Sequence, residues 1–187
     1  MIAIYVIVGI IVVLLIAFVV IYNRLVNVHN QMKQAWAQVD VQLKRRHDLI
    51  PNLIETVKGY MQHERPTLEA VTKARNLAQA ASGASIADRV KAESELSGAL
   101  ARLLVVVENY PDLKANQNFL ALQQELTTTE NNMSVARQSD NDMVLMCNNL
   151  YQMFPSNMVA RIFGYRTEDF FEVKLADERA SPKVGFT

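Results

Sequence analysis

Three histidines, His29, His47 and His63, and one cysteine, Cys147, are the side chains best suited to metal binding or nucleophilic chemistry in this sequence. The histidines stand 18 and 16 residues apart. None forms the i, i+4 pair that places two imidazoles on one helix face, and none falls in a Cys/His ligand spacing. His47 and His63 read as capping or surface residues. Cys147 has no catalytic signature around it and lies on a helical apolar seam, which reads as packing; a single cysteine also excludes an internal disulfide framework. Gly59, Gly83, Gly98, Gly164 and Gly185 are scattered, so no local loop is built to cradle a phosphate, and no Gly-x-Ser-x-Gly elbow occurs. The sequence therefore assigns no catalytic, cofactor-binding or metal-ligating residue. The expectation is a protein that is not an enzyme and uses no cofactor.

Three other features could carry an interaction. Lys44, Arg45 and Arg46 form a cationic cluster, which suits either the carbonyl-rich last turn of a helix or a binding surface. The stretch from Phe154 to Tyr165 reads as one short apolar helix, with Ser156 as its N-cap and Gly164 as its stop. Its Met158, Val159, Ile162 and Phe163 either cover an open end of the fold or meet a membrane surface or a neighbouring subunit. Finally, Gln31, Gln34, Gln38 and Gln42 recur along one helix face, which reads as solvated or as a contact between parallel copies.

These residues need elements to position them. Residues 2–22 contain no charged side chain, and all 19 basic and all 19 acidic residues lie beyond Ile21. At about 1.5 Å per residue that run spans roughly 32 Å, enough to cross a hydrocarbon core of about 30 Å. A cleaved signal would want a basic leader, a shorter apolar stretch and a small-x-small site, none of which occurs here. Residues 1–22 are therefore read as a retained transmembrane anchor. Arg24, Lys33 and the Lys44–Arg46 cluster follow the span and nothing basic precedes it, which points the N-terminus outward and the rest of the chain into the cytoplasm. A straight helix from Tyr22 lifts the cationic cluster roughly 33 Å off the membrane, several times the ~8 Å screening length, so it faces a partner or a neighbouring subunit rather than the anchor's own lipids. Zero net charge removes any general electrostatic case for nucleic acid.

Beyond the span the pattern is helical. Leu25, Val28, Met32, Ala35, Val39 and Leu43 keep three-four spacing. Around Asp48-Leu49-Ile50-Pro51 the reading favoured is a tight hairpin, Asp48 capping a second helix with Pro51 in its first turn. The alternative is one long helix kinked at Pro51, because the apolar phase continues through Ile50, Leu53, Val57 and Tyr60. The second helix would run from about 49 to 81, with Pro66 as a further possible kink. A loop at 81–85 precedes a third helix over 86–109, stopped by Pro111. The fourth is the best defined: Phe119, Leu122, Leu126, Thr129, Met133, Ala136, Asp140, Met143, Cys147, Leu150 and Phe154 form a packing seam. Thr129 can return its hydroxyl to the backbone, whereas Asp140 is expected at a wet edge or against a basic side chain, with the Arg45–Arg46 tip as one guess. The fold class is all-α: an N-terminal transmembrane helix, then an up-and-down four-helix bundle with a short C-terminal helix.

Tyr22-Asn23-Arg24-Leu25-Val26, residues 35–46, Asp48-Leu49-Ile50-Pro51-Asn52-Leu53, Glu55-Thr56-Val57-Lys58-Gly59-Tyr60, residues 110–116, Phe119-Leu120-Ala121-Leu122-Gln123 and Phe154-Pro155-Ser156-Asn157 closely resemble the LemA family of bacterial membrane proteins. The resemblance covers about residues 1–172, leaving the last fifteen without a counterpart. It implies an N-terminal anchor and a helical bundle, with the N-terminus usually drawn outside; some relatives are instead lipid-anchored through a cysteine that this chain lacks. It implies no catalytic residues. A magnetosome-formation protein resembles the family, implying membrane remodelling or organelle assembly, and some members are encoded beside membrane metalloproteases, implying an accessory role. The chain departs from the family pattern at Asp140-Asn141, Cys147-Asn148, Asn132 and Met133.

The reading is then a transmembrane anchor (1–22), a helical bundle (23–172) and a flexible tail (173–187) in the bacterial inner membrane. The expected function is a non-enzymatic scaffold that self-associates and organises or remodels membrane. The alternative is an adaptor for a membrane protease or another envelope complex. Lipid bilayer and further copies of the chain are the expected partners, and nucleic acid is not.

Overall fold

A computed structural model describes residues 1–61 and 63–171, and the proposed tail at 173–187 lies outside the described residues. Among the described residues the fold is all-α without strands: α1 (Ile2–Lys58), α2 (Arg65–Ala80), α3 (Ile86–Val107), α4 (Pro111–Lys114), α5 (Gln117–Gln152) and α6 (Ser156–Ile162).

The hairpin expected at 47–51 does not form. α1 runs unbroken through Pro51 and ends at Lys58. An interior proline costs about 3 kcal/mol through the lost hydrogen bond and the clash with the preceding turn. Ile50, Leu53 and Val57 are each 0% exposed, and full burial of such side chains is worth about 1.5–3 kcal/mol apiece. Continuity of the apolar face thus outweighs the proline, whose own side is exposed. The break comes between Lys58 and Arg65, where the Tyr60 and Met61 amides both donate to the Val57 carbonyl. Pro66 then occupies the first turn of α2, the position where a missing N–H is harmless. The argument made for Pro51 holds, but for the other proline. His47 is buried, not at the surface, because it lies in the middle of a packed helix instead of at a tip; His63 is exposed.

The chain divides into two compact units. One comprises, among the described residues, 50–121 together with Phe171. Here α2 packs on α3, linked by a short 3₁₀ turn at Ala81–Gly83. Ser85 caps α3, its Oγ accepting from the Asp88 amide at 3.2 Å. Val71, Leu96, Leu103, Leu113 and Phe119 are buried in this unit. The Asn116 side chain accepts the amides of Asn118 and Phe119, opening α5.

The other unit comprises residues 1–49 and 122–170. The α5 seam is as expected from Thr129 to Leu150, with Thr129, Met133, Ala136, Asp140, Cys147 and Leu150 all buried. Thr129 Oγ1 donates to the Glu125 carbonyl at 2.7 Å, discharging its polarity within the helix. Phe154 departs from the seam: α5 has ended at Gln152 and its ring is 78% exposed. Residues 1–20 leave every side chain exposed, and α1 is the described helix with the length and composition to cross a membrane.

Candidate membrane-interface site

The best-built cluster lies where α1 leaves its apolar run. Leu25 and Val28 of α1, Cys147, Leu150 and Tyr151 of α5, and Val159 and Ala160 of α6 form one buried core, with Ile21, Tyr22, Met32 and Tyr165 packed against it. α6 is held there by its two ends. At the start, Ser156 is not the N-cap the sequence implied; that position is Pro155. Ser156 is buried and its hydroxyl lies 2.6 Å from the Leu150 carbonyl and 2.9 Å from that of Met153, so it serves the orphan carbonyls at the end of α5. At the other end Gly164 has φ +74°, the left-handed conformation that stops a helix. The Tyr165 amide donates to the Ala160 carbonyl and the Gly164 amide to that of Arg161, which completes a Schellman closure. Gly164 as a stop was legible; Ser156 facing backward was not.

The Schellman turn delivers Tyr165 into an aromatic stack. Its ring lies 5.3 Å from Tyr151 and nearly parallel to it, and 5.2 Å from His29 edge-on. His29 Nδ1 and the Tyr151 hydroxyl are 3.0 Å apart. Burial, with help from Lys33, lowers the His29 pKa against an opposing pull from Glu168. Burial raises the Tyr151 phenol and the Cys147 thiol, keeping both neutral. Beyond Tyr165, Asn148 exchanges two hydrogen bonds with the Glu168 backbone, at 3.0 and 2.9 Å, and straps the returning chain to α5. The role of Asn148 is not legible in the sequence, because its partner is a backbone twenty residues away.

On the outer side of this core, Phe163 packs against Tyr22 with ring centroids 4.4 Å apart and against Phe18 at 6.2 Å. Phe18 belongs to the charge-free run, so α6 sits level with the end of the apolar helix. Of the four tail residues picked out in the sequence, Val159 is buried in the core, whereas Met158 (59%), Ile162 (69%) and Phe163 present apolar surface outward, joined by Met153 and Phe154. Arg24, Arg161 and Arg166 are exposed around them.

The cationic cluster lies elsewhere. It is twelve residues short of the end of α1, so it is no helix terminus. Arg45 reaches Glu125 on α5 at 2.5 Å, and Arg46, buried, lies 3.5 Å from Glu130. Lys44 is exposed. Asp140 does not join them. It is 1% exposed, not at a wet edge; its Oδ2 has no hydrogen-bond partner among the described residues, and burial, then the neighbouring Asp40 carboxylate, raise its pKa to about 6. Glu125 and Glu130 precede Asp140 on α5 by 15 and 10 residues, about 22 and 15 Å of helix rise, so the arginines that reach them are displaced along the helix from Asp140. Among the described residues, no three His, Cys, Asp or Glu side chains converge in a way that could hold a metal ion.

An all-helical chain with one membrane-length apolar helix and a second apolar helix docked at its end is a membrane-associated helical protein in class. The chain belongs to the LemA family, whose model matches residues 35–186. The match runs into the last fifteen residues, which the sequence resemblance had left out. It is similar to Protein LemA of Metamycoplasma hominis, at 24% identity over 139 residues, covering 74% of this chain and 63% of that protein. It is also similar to Magnetosome protein MamQ of Magnetospirillum gryphiswaldense, at 20% identity over 181 residues, covering 84% of this chain and 66% of that protein. The chain thus spans a little under two thirds of the length of these relatives.

Proposed function

We propose that this protein is a non-enzymatic, membrane-tethered helical scaffold that self-associates and organises or reshapes the bilayer holding it. The observation that carries the reading is apolar surface the chain leaves uncovered on α5 and α6. Besides α6, Val135 and Met146 are exposed on α5, eleven residues and so three turns apart on one face. Anchors confine copies to two dimensions with parallel orientation, which raises their effective concentration and makes even a modest apolar face enough for association. The names of the family and of the two relatives denote no reaction, and one of those relatives is a magnetosome protein. The charge pattern after the span supports a bundle on the cytoplasmic side of a bacterial inner membrane.

The test is reconstitution of the full chain. Light scattering of the detergent-extracted protein should show mass rising with concentration, and electron microscopy of proteoliposomes should show altered vesicle shape. A monomer at every concentration, with vesicles unchanged, removes the proposal. Crosslinking in native membranes that recovers a different protein in fixed stoichiometry would move the assignment to an adaptor.

A further inference from the structure

We infer that α6 is a second, laterally inserted membrane contact: it lies in the interfacial layer of the leaflet where the anchor ends, its apolar face below the headgroups and its arginine at the phosphates. The inference rests on residues 2–22 being an anchor, and then follows from how α6 is held.

Depth is fixed by contact. Phe163 touches Phe18 and Tyr22, and Phe18 is within the charge-free run. Four residues separate those two rings, about 6 Å of rise, so α6 meets α1 within one turn of the point where an anchor leaves hydrocarbon. Tyr22, with an apolar ring and a polar tip, is the residue type that marks this level. An interfacial helix buries its apolar face roughly 5–10 Å into the headgroup boundary, which matches that span.

Rotation is fixed as well. Ser156, Val159 and Ala160 face the protein and are buried. Met158 and Ile162, four apart and so on one face, point away from it. The approach is also apolar, since Met153 and Phe154 are exposed before the helix begins. In water this is uncovered apolar surface, which soluble proteins keep to small patches. Beside an anchor it continues the lipid-facing surface already present. Arg161, in the last turn of α6, and Arg24, two residues beyond Tyr22, are both exposed at the rim, matched in charge to phospholipid phosphates. Glu168 and Asp169 lie further along the chain, beyond the Schellman turn. The occupant of this face is therefore the lipid surface itself. A helix inserted into one leaflet enlarges that leaflet alone, which gives the proposed membrane shaping a physical source.

The experiment uses nitroxide accessibility on the full chain in vesicles of phosphatidylcholine and phosphatidylglycerol. Single cysteines replace Met158, Ile162, Gln38 and Val12 in turn; Cys147 is buried, and the unsubstituted chain sets the labelling background. The labels at 158 and 162 should lose collisions with aqueous nickel chelate and gain them with oxygen, as the label at 12 does. The exposed label at 38 should show the reverse. If 158 and 162 behave like 38 while 12 stays in lipid, the inference falls and the anchor stands. If 158 and 162 are shielded from both reagents, and dilution with excess lipid restores both, the face covers a second copy; the inference falls in favour of self-association. If 12 itself meets nickel freely, the anchor fails and takes the inference with it.

Discussion

Replacing Asp140 with Asn isolates a carboxyl that the fold holds in an unfavourable state. Its pKa is about 6 in the folded chain, with burial as the larger cause and Asp40 the smaller. In the unfolded chain it ionises near about 3.9. The folded state therefore binds the extra proton between those values, and stability falls as pH rises from about 4 through 6. Complete ionisation at pH 7 disfavours folding by up to about 3 kcal/mol, and relaxation of the fold around the charge reduces that to about 1–2 kcal/mol. Asn keeps the shape and cannot ionise, and its amide can donate toward Asp40. The variant should be more stable than the parent by about 1–2 kcal/mol at pH 7 and level with it near pH 4. His29 must be separated from this. Its lowered pKa makes the folded state bind fewer protons, so its contribution is lost as pH falls through the unfolded value near about 6.5, the opposite sign. The comparison of variant with parent cancels that term. Trp36 is the single tryptophan and stands one helical turn from Asp40, so its fluorescence during urea unfolding in micelles reports the right region. A gain equal at pH 4 and pH 7 would refute the reasoning, because it means ionisation of Asp140 costs the fold nothing; a loss at pH 7 would refute it too, because it means a cation satisfies the folded carboxylate.

Two further substitutions test the helices. Pro51→Ala restores an interior helix bond at an exposed position and should raise stability, by up to about 3 kcal/mol, in the same urea titration; a neutral or destabilising result would indicate a first-turn proline, and so a hairpin after all. Gly164→Ala meets no steric neighbour but is forced to φ +74°, so it should cost about 1–2 kcal/mol and loosen the Schellman turn, read as loss of near-ultraviolet tyrosine dichroism from the Tyr151–Tyr165 stack.

How far the fold was legible depended on whether the deciding interaction was local. The apolar run at 2–22, the α5 seam from Thr129 to Leu150, the Thr129 back-bond and the Gly164 stop each rest on neighbours within one or two turns and stand as read, whereas Phe154, past the end of α5, leaves the seam. Pro51 was misread because local cost and distant burial oppose each other there. A sequence shows the 3 kcal/mol liability of an interior proline (about that size in general) but not that Ile50, Leu53 and Val57 are all fully covered. Asp140 failed for the same reason in reverse: its seam position was correct, while its surroundings belong to α1, a hundred residues away.

The tail shows what this means for function. Met158, Val159, Ile162 and Phe163 were visible as an apolar group, and periodicity could not say whether they capped a core or faced outward. The structure divides them. Val159 goes inward because Ser156 and the Gly164 turn set the helix's rotation, and Met158 and Ile162 go outward by the same rotation. The two polar-looking residues that frame α6 thereby determine which apolar atoms remain available to a membrane. Losing either frame would turn that face without altering a single apolar side chain, so the lipid contact proposed for α6 depends on hydrogen bonds as much as on hydrophobicity.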